Sequence, residues 1–462
     1  MDVRPRALPP VLRAATWRWT PGTPLPEQRL PTWPPAATRD VALCLGGRGP
    51  RALAVAAGVL AGLERRDLLR PLRYLCGTGA GAWAAMLTAY LPHGVDDATF
   101  FGRDALPTAG RALRALTPDA LDAPLDPRSL LAIATTNLAH AFFAPYALDA
   151  HARWLHAVDQ AVLAPLGLDA RRAQHPIFFG FDDAAIADLL RRNPALDARD
   201  VLRMRSDRPF PVVSATLRWP LRVLPQDETH LRFEITPLAA GLPAPVDRSY
   251  RRLWLVPERL RAGGSFVEPF ALQGRGLPSY ERAPVARDAP ATDAPARLAV
   301  VTTGDQRFQL TDALGACAAF PADADTDTAE AIATTRLPLT LHSLPAADAP
   351  AAPPAAAVTL GDGGAVDPCG IIGALLRRAA RLLVIVDLPR PPAVDDPVPA
   401  VLRPLFARAD GRARRRWSRG RRATDARAVF PQPAWAALRD AWSTALRAGQ
   451  PLIHRASWSV LD

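Results

Sequence analysis

The chain has 462 residues, 49% of them hydrophobic, which suffices for a large core; its 49 prolines, many in Ala-Pro-Asp stretches, predict a globular body with long irregular connections. The formal charge is +11 and every one of the 56 Lys/Arg positions is arginine, a uniformity that fits a GC-rich coding sequence and argues little for a nucleic-acid partner, though a positive field favours anionic membrane surfaces over neutral ones. The four cysteines, Cys44, Cys76, Cys317 and Cys369, form no C-x-x-C pair, which excludes the common zinc and dithiol motifs and leaves buried thiols in a reducing cytoplasm.

Residues 1–39 are rich in Pro and Trp, with Trp17, Trp19 and Trp33, and predict an irregular arm that packs its aromatics onto the body. Arg and Pro interrupt MDVRPRALPPVLRAATWRWTPG before any seven-residue apolar core forms, against a signal peptide. No unbroken apolar run approaches the roughly 18–20 residues that a membrane span needs. The expected location is cytoplasmic, at most peripheral at the inner membrane surface.

From Asp40 the pattern changes. VALCLGG predicts a short buried strand, ALAVAAGVLAGLERRDLL a helix, LRYLC a second strand and GAWAAMLTAYL a second helix: a parallel α/β beginning. A helical insertion follows over about 100–210, and FPVVSATL, HLRFEITP and LAVVTTG predict further strands, with a helix or turn at TDALGACAAFPA. ERAPVARDAPATDAPAR and LPAADAPAAPPAAA, about 281–297 and 344–357, predict loops without fixed structure. AAVTLGDGG ends a strand, IIGALLRRAARLL is an amphipathic helix and LLVIVDL a buried strand, closing an α/β body over 40–390. Residues 391–462 hold an Arg-rich segment and a terminal helix.

Three of these strands end in Gly-rich turns, where open α/β sheets place their chemistry. LGGRGPRALAVAAGVLAGL, CGTGAG and LGDGGAVDPCGIIGALLRRAARLLVIVD resemble, in this order, the oxyanion loop, the G-x-S-x-G nucleophile elbow and the Asp-Gly-Gly segment of the patatin-like and cytosolic phospholipase-like acyl hydrolases, bacterial patatin-like phospholipases among them. RPFPVVSATL with RFEITPLAAGLP, and ALGACAAFP, are similar to that family's central strand pair and its Ser-Ser-Ala-Phe-Pro-type turn. The resemblance implies a doubly wound, mostly parallel central sheet flanked by helices, with helical and loop insertions. It also implies a Ser-Asp dyad without cofactor or metal, in which serine attacks an ester carbonyl, aspartate is the base and loop N–H groups hold the oxyanion. Asp362 matches the base, Gly363 and Gly364 its turn, Gly47, Arg48 and Gly49 the oxyanion loop, and Gly77, Thr78 and Gly81 the elbow.

The departures matter as much. Gly79 stands at the nucleophile position and has no side chain to attack with. Thr78 lies one residue before the apex and Cys76 earlier still, in the strand. Arg48 replaces the loop's middle glycine, where a conformation closed to other residues would distort it, and Pro50 removes an N–H. The expectation is a pseudoenzyme that retains an acyl or lipid-binding or protein-contact role. The alternatives are a hydrolase with a substitute nucleophile and an assembly partner of an active relative.

GRGPRA also fits a G-x-G-x-x-A dinucleotide turn, but LRYLC ends in Cys76 and Gly77 rather than an acid. Arg48 and Arg51 are candidate clamps for a phospholipid head group there. Asp323, Asp325 and Asp327 lack the glycine and distal glutamate of a calcium loop, and His151 and His156, five apart, do not share a helix face. Arg414, Arg415 and Arg416 beside Trp417 suit an anionic bilayer better than nucleic acid.

Overall fold

The computed structural model describes residues 11–34, 40–102, 125–137, 150–169, 178–219, 229–244, 246–252, 256–272, 279–281, 296–301, 308–318, 359–388, 392–399, 401–406, 423–424 and 428–460. The first strand, β1 (Val11–Arg18), precedes β2 (Val41–Leu45), α1 (Gly49–Glu64), β3 (Tyr74–Thr78) and α2 (Ala80–Ala89). Helical turns over Leu130–Asn137 and Ala150–Leu166 lead to β4 (Phe178–Gly180), the helix Asp183–Arg192 and β5 (Val201–Arg203). Then come β6 (Phe210–Trp219), β7 (Thr229–Ile235), β8 (Ala240–Leu242), β9 (Val246–Arg252), β10 (Val256–Ala262), β11 (Ser265–Val267), β12 (Ser279–Glu281) and β13 (Ala296–Val301). The helix Leu310–Ala318, β14 (Thr359–Asp362), the helix Ile371–Leu376, β15 (Arg381–Ile385), β16 (Ala423–Thr424) and the helix Gln432–Arg447 complete the order.

One mixed sheet carries most of these strands, in the order β12-β13-β1-β11-β8-β7-β6-β3-β2-β15. Its β15-β2-β3-β6 end is parallel, as the alternation of strand, Gly turn and helix predicts. From β6 outward it becomes antiparallel, through β7, β8, β11, β1, β13 and β12. The sheet is thus mixed, and its parallel part is the part that carries the Gly-rich turns.

The N-terminal segment departs from the irregular arm its composition predicts. VLRAATWR is an interior strand, with Thr16–Arg18 paired to β11 and Val11–Thr16 to β13. Its Ala14, Ala15, Thr16 and Trp17 are all buried, and a strand covered on both faces loses the polar alternation by which a strand is recognised. The aromatics do pack on the body: Trp33 meets Phe210 edge-on at 5.2 Å and Tyr74 at 5.6 Å.

Helix α2 is buried over its whole length, Ala80 to Ala89, which its AGAWAAMLTA sequence permits because small residues let β3, α1 and the helix Leu310–Ala318 approach closely. Trp83 stacks on Trp154 at 6.0 Å, and their indole N–H groups donate to the carbonyls of Leu314 and Gly315. These two bonds pin the helix Leu310–Ala318 over the start of α2. At the C-terminus, Ala434, Leu438 and Trp442 form the buried stripe of the last helix. No helix among the described residues is long and apolar enough to cross a membrane.

Candidate functional site

Strand β6 acts as the ruler for the site. On one of its edges β3 runs parallel to Phe210–Ser214, ending with Thr78 opposite Ser214. β14 runs antiparallel along the same edge from Arg218, ending with Asp362 opposite Ala215. The two strands therefore meet end to end, and each chain must leave the sheet there: at Gly79 into α2, and at Gly363 into a helical turn. Two segments nearly three hundred residues apart in sequence are aimed at one point by this register.

Gly79 caps α2 with φ 58° and ψ −128°, a conformation that an L side chain adopts only under strain. Gly77 and Gly81 close the turn: a Cβ on Gly77 would fall 2.4 Å from the Gly81 carbonyl oxygen, and one on Gly81 2.2 Å from that of Leu45. A Cβ on Gly79 would stand 2.9 Å from Asp362 Oδ2 but only 2.4 Å from the Gly47 carbonyl oxygen. That carbonyl also accepts the Ala80 N–H at 3.0 Å, while the Gly79 N–H donates to the Cys317 carbonyl at 3.2 Å. The Ala80 N–H, which follows the apex of the turn and would be the oxyanion donor if the turn were a hydrolase elbow, is already bonded within the chain.

Asp362 is 4% exposed and held from several sides. Its Oδ1 accepts the Gly364 N–H at 2.7 Å, and its carbonyl accepts the Thr216 hydroxyl at 2.6 Å. Oδ2 is the oxygen turned toward Gly79, with Arg48 Nε at 3.9 Å. Gly363 packs on the Ser214 carbonyl, where an added Cβ would fall 2.0 Å away. Beneath this turn Asp367 accepts from Ser214 Oγ, Arg232 Nε and the N–H groups of Ile372 and Gly373 at 2.8–3.1 Å. These bonds fix the segment that follows Asp-Gly-Gly.

The Gly47–Arg48–Gly49 loop, which the sequence predicts to hold an oxyanion, turns a backbone carbonyl toward Gly79. Arg48 itself lies in ordinary extended backbone, φ −120° and ψ 139°, so the arginine does not strain the loop as its sequence position predicts. The unusual torsions flank it, with φ 125° at Gly47 and 72° at Gly49. Gly47 is needed there, since a Cβ would meet Ala52 Cβ at 2.5 Å. The result is a carbonyl, an acceptor, facing the elbow where acyl transfer requires donors.

Of the two candidate clamps, Arg51 is drawn to the far side of the loop. It donates to Asp387 Oδ2 at 2.8 Å and to the Leu388 carbonyl at 2.7 Å. Arg48 is the one beside Asp362, with its side chain 51% exposed. All four cysteines are buried. Burial, followed by the nearby Asp362 charge, pushes the Cys317 thiol well up, and burial with the Asp367 and Asp387 charges pushes Cys369 up to about 12. Thr78 and Cys76 are 2% and 0% exposed, so neither presents a side chain to an incoming ester. Arg414, Arg415, Arg416 and Trp417, the acidic run with Asp323, Asp325 and Asp327, and most of the two Pro-Ala loops lie outside the described residues. Among the described residues no group of three or more His, Cys, Asp or Glu side chains is assembled for a metal ion.

Sequence patterns pointed to the glycines and to Asp362; they did not point to Thr216, the Cys317 carbonyl or the Asp387 partner of Arg51. A backbone carbonyl's direction leaves no trace in residue identity, so the Gly47 contact had no signal to find. Trp83 had one, a bulky aromatic two residues after the last elbow glycine.

No family model matches the chain, and no curated protein does. Among solved structures it is similar to human GIVD cytosolic phospholipase A2, with a TM-score of 0.22 and 15% identity over 51% of this chain and 24% of that one. The chain thus spans about a quarter of that protein's length, and at this TM-score the likeness carries no inference.

Proposed function

We propose that this chain is a degenerate patatin-like acyl hydrolase, a pseudoenzyme that keeps the dyad's aspartate and elbow backbone without its chemistry. One observation carries the reading: the Gly47 carbonyl oxygen lies 2.4 Å from where the Cβ of a nucleophile would stand, and it holds the Ala80 N–H. An ester carbonyl entering there meets no nucleophile, an acceptor in place of a donor, and a loop whose Pro50 has no N–H. Losing the nucleophile alone removes on the order of 10³–10⁶ in rate, so the site would have almost nothing left to accelerate. A hydrolase using Thr78 or Cys76 would have to expose a buried side chain first.

The reading is tested with a fluorophosphonate probe. The chain is expected to stay unlabelled under conditions that label an active serine hydrolase to completion; one-to-one labelling would overturn it. The retained role we propose is contact with an anionic phospholipid surface, or with an active relative, with Arg414, Arg415, Arg416 and Trp417 as the basic and aromatic element. Flotation with phosphatidylglycerol liposomes should drop severalfold when residues 408–422 are removed, since each arginine near such a surface contributes about 1 kcal/mol. Equal flotation of the two proteins would remove that segment from the proposal.

A further inference from the structure

The parallel strands have a second end. At the starts of β3 and β6, roughly 20 Å along the strands from Gly79, a cavity of about 260 Å³ opens between Trp33, Phe181 and Phe210 on its apolar side and Arg73, Arg203 and Arg205 on its polar side. The rings form a fixed frame, with Phe210 edge-on to both Trp33 and Phe181, each at 5.2 Å, and Trp33 tilted against Phe181 at 6.1 Å. The Arg73 guanidinium lies over the Trp33 ring at 5.3 Å, which extends that wall with a flat cation.

Donors and acceptors around this cavity do not balance. Asp182, the carboxylate nearest the rings in sequence, is spent on the Thr32 hydroxyl and on the Ala185 N–H. Arg205 and Arg208 pair with Asp97 and Asp207. Among the lining residues, Nε1 of Trp33 and Nε of Arg208 are buried N–H groups with no acceptor among the described residues. Arg203, at the rim, pairs with Asp183, whose side chain is 81% exposed, and a pair so open to water is readily exchanged for another anion. The deficit is one of acceptors, beside an aromatic wall.

We infer that this cavity is a binding site for a small planar aromatic carboxylate, its ring laid against the wall that Trp33, Phe181 and Phe210 form together and its carboxylate exchanging with Asp183 for Arg203. The size suits one or two fused rings, at the lower limit of ordinary ligand sites. The site is separate from Gly79 and Asp362 and stands or falls without the reading of that site.

The test uses the full chain and benzoate, with cyclohexanecarboxylate (same charge, no flat ring) and benzyl alcohol (same ring, no charge) as comparisons, followed by saturation-transfer NMR titration. Benzoate is expected to bind saturably and the other two about tenfold or more weakly. Arg203→Gln, a rim change with little structural risk, should weaken benzoate about tenfold by removing a charge-assisted bond. Trp33→Phe, which keeps a ring and removes the N–H, should weaken it severalfold. Absence of saturable benzoate binding, equal binding of cyclohexanecarboxylate, or benzoate binding indifferent to Arg203→Gln would each overturn the inference.

Discussion

Gly79→Ser is expected to leave the protein without ester hydrolysis and less stable than the parent chain. The serine would put its Cβ 2.4 Å from the Gly47 carbonyl oxygen, in contact with backbone rather than with a side chain that can swing aside. The strained torsions alone cost on the order of 1–3 kcal/mol, which working elbows tolerate, so the decisive term is the collision. Relief requires the Gly47–Arg48 peptide to turn, which also breaks the bond from the Ala80 N–H. Gly79→Ala separates the two effects: it should lose as much stability as Gly79→Ser, by thermal melting, because both add the same Cβ. Recovery of hydrolysis in Gly79→Ser, abolished again by adding Asp362→Ala, would show that the loop opens freely and that the vacant elbow is merely one residue from function.

Arg377→Met is expected to be the most destabilising single change in the fold behind the site. Arg377 is fully buried; Nη2 pairs with Glu234 Oε1 at 2.5 Å and Nε with Glu27 Oε1 at 2.8 Å. Arg232 continues the chain from Glu234 to Asp367, the residue that fixes the segment after Asp362. Removing Arg377 strands Glu27 and partly strands Glu234, a loss of about 3–5 kcal/mol, read as a melting midpoint lower by roughly 5–10 °C.

The loss should depend on pH in a definite direction. Burial pushes Glu234 up, but the Arg377 and Arg232 guanidinium groups outweigh it and hold its carboxyl at about 2 against an ordinary 4.5. Its contribution is therefore full above about pH 4.5 and is lost as pH falls toward 2. For Glu27 burial outweighs Arg377 and the carboxyl is raised. Its cost of ionisation is present above that raised value and is relieved as pH falls. In the variant both glutamates can escape by protonating, so the stability gap to the parent chain should be widest near neutral pH and narrow below pH 4.5. A gap that stayed constant from pH 7 to 3 would mean that Arg377 stabilises by packing alone.

The parallel half of the sheet was legible because its signals are local. VALCL and LRYLC are short apolar runs closed by Gly turns, and LLVIVDL is one that ends at a Pro-rich stretch; each is a strand there, although the last is a partly exposed edge strand rather than the buried one its composition predicts. The antiparallel wing was not, because its strands take their partners from distant segments: β1 carries small Ala and Thr beside a Pro-rich stretch, and only Glu268, Arg192 and the strands across from it make it a strand. Glu268 accepts the Ala15 N–H and both reaching nitrogens of Arg192, a contact with no sequence period. The ion chain through Arg377 was equally silent, since IIGALLRRAARLL gives an arginine on a helix and cannot say that Arg377 turns inward while Arg378 reaches outward to the Gly22 carbonyl. At the site, residue identity located Gly79 and Asp362, which the register along β6 brings together. The direction of one peptide bond decided what faces Gly79.

The most direct test of the account is the hydrolysis of p-nitrophenyl butyrate by the parent chain and by Asp362→Asn, measured side by side at equal protein concentration. The account predicts that both rates match the protein-free background, because an aspartate with no nucleophile beside it has no proton to take. A rate above background in the parent chain that Asp362→Asn abolishes would contradict it.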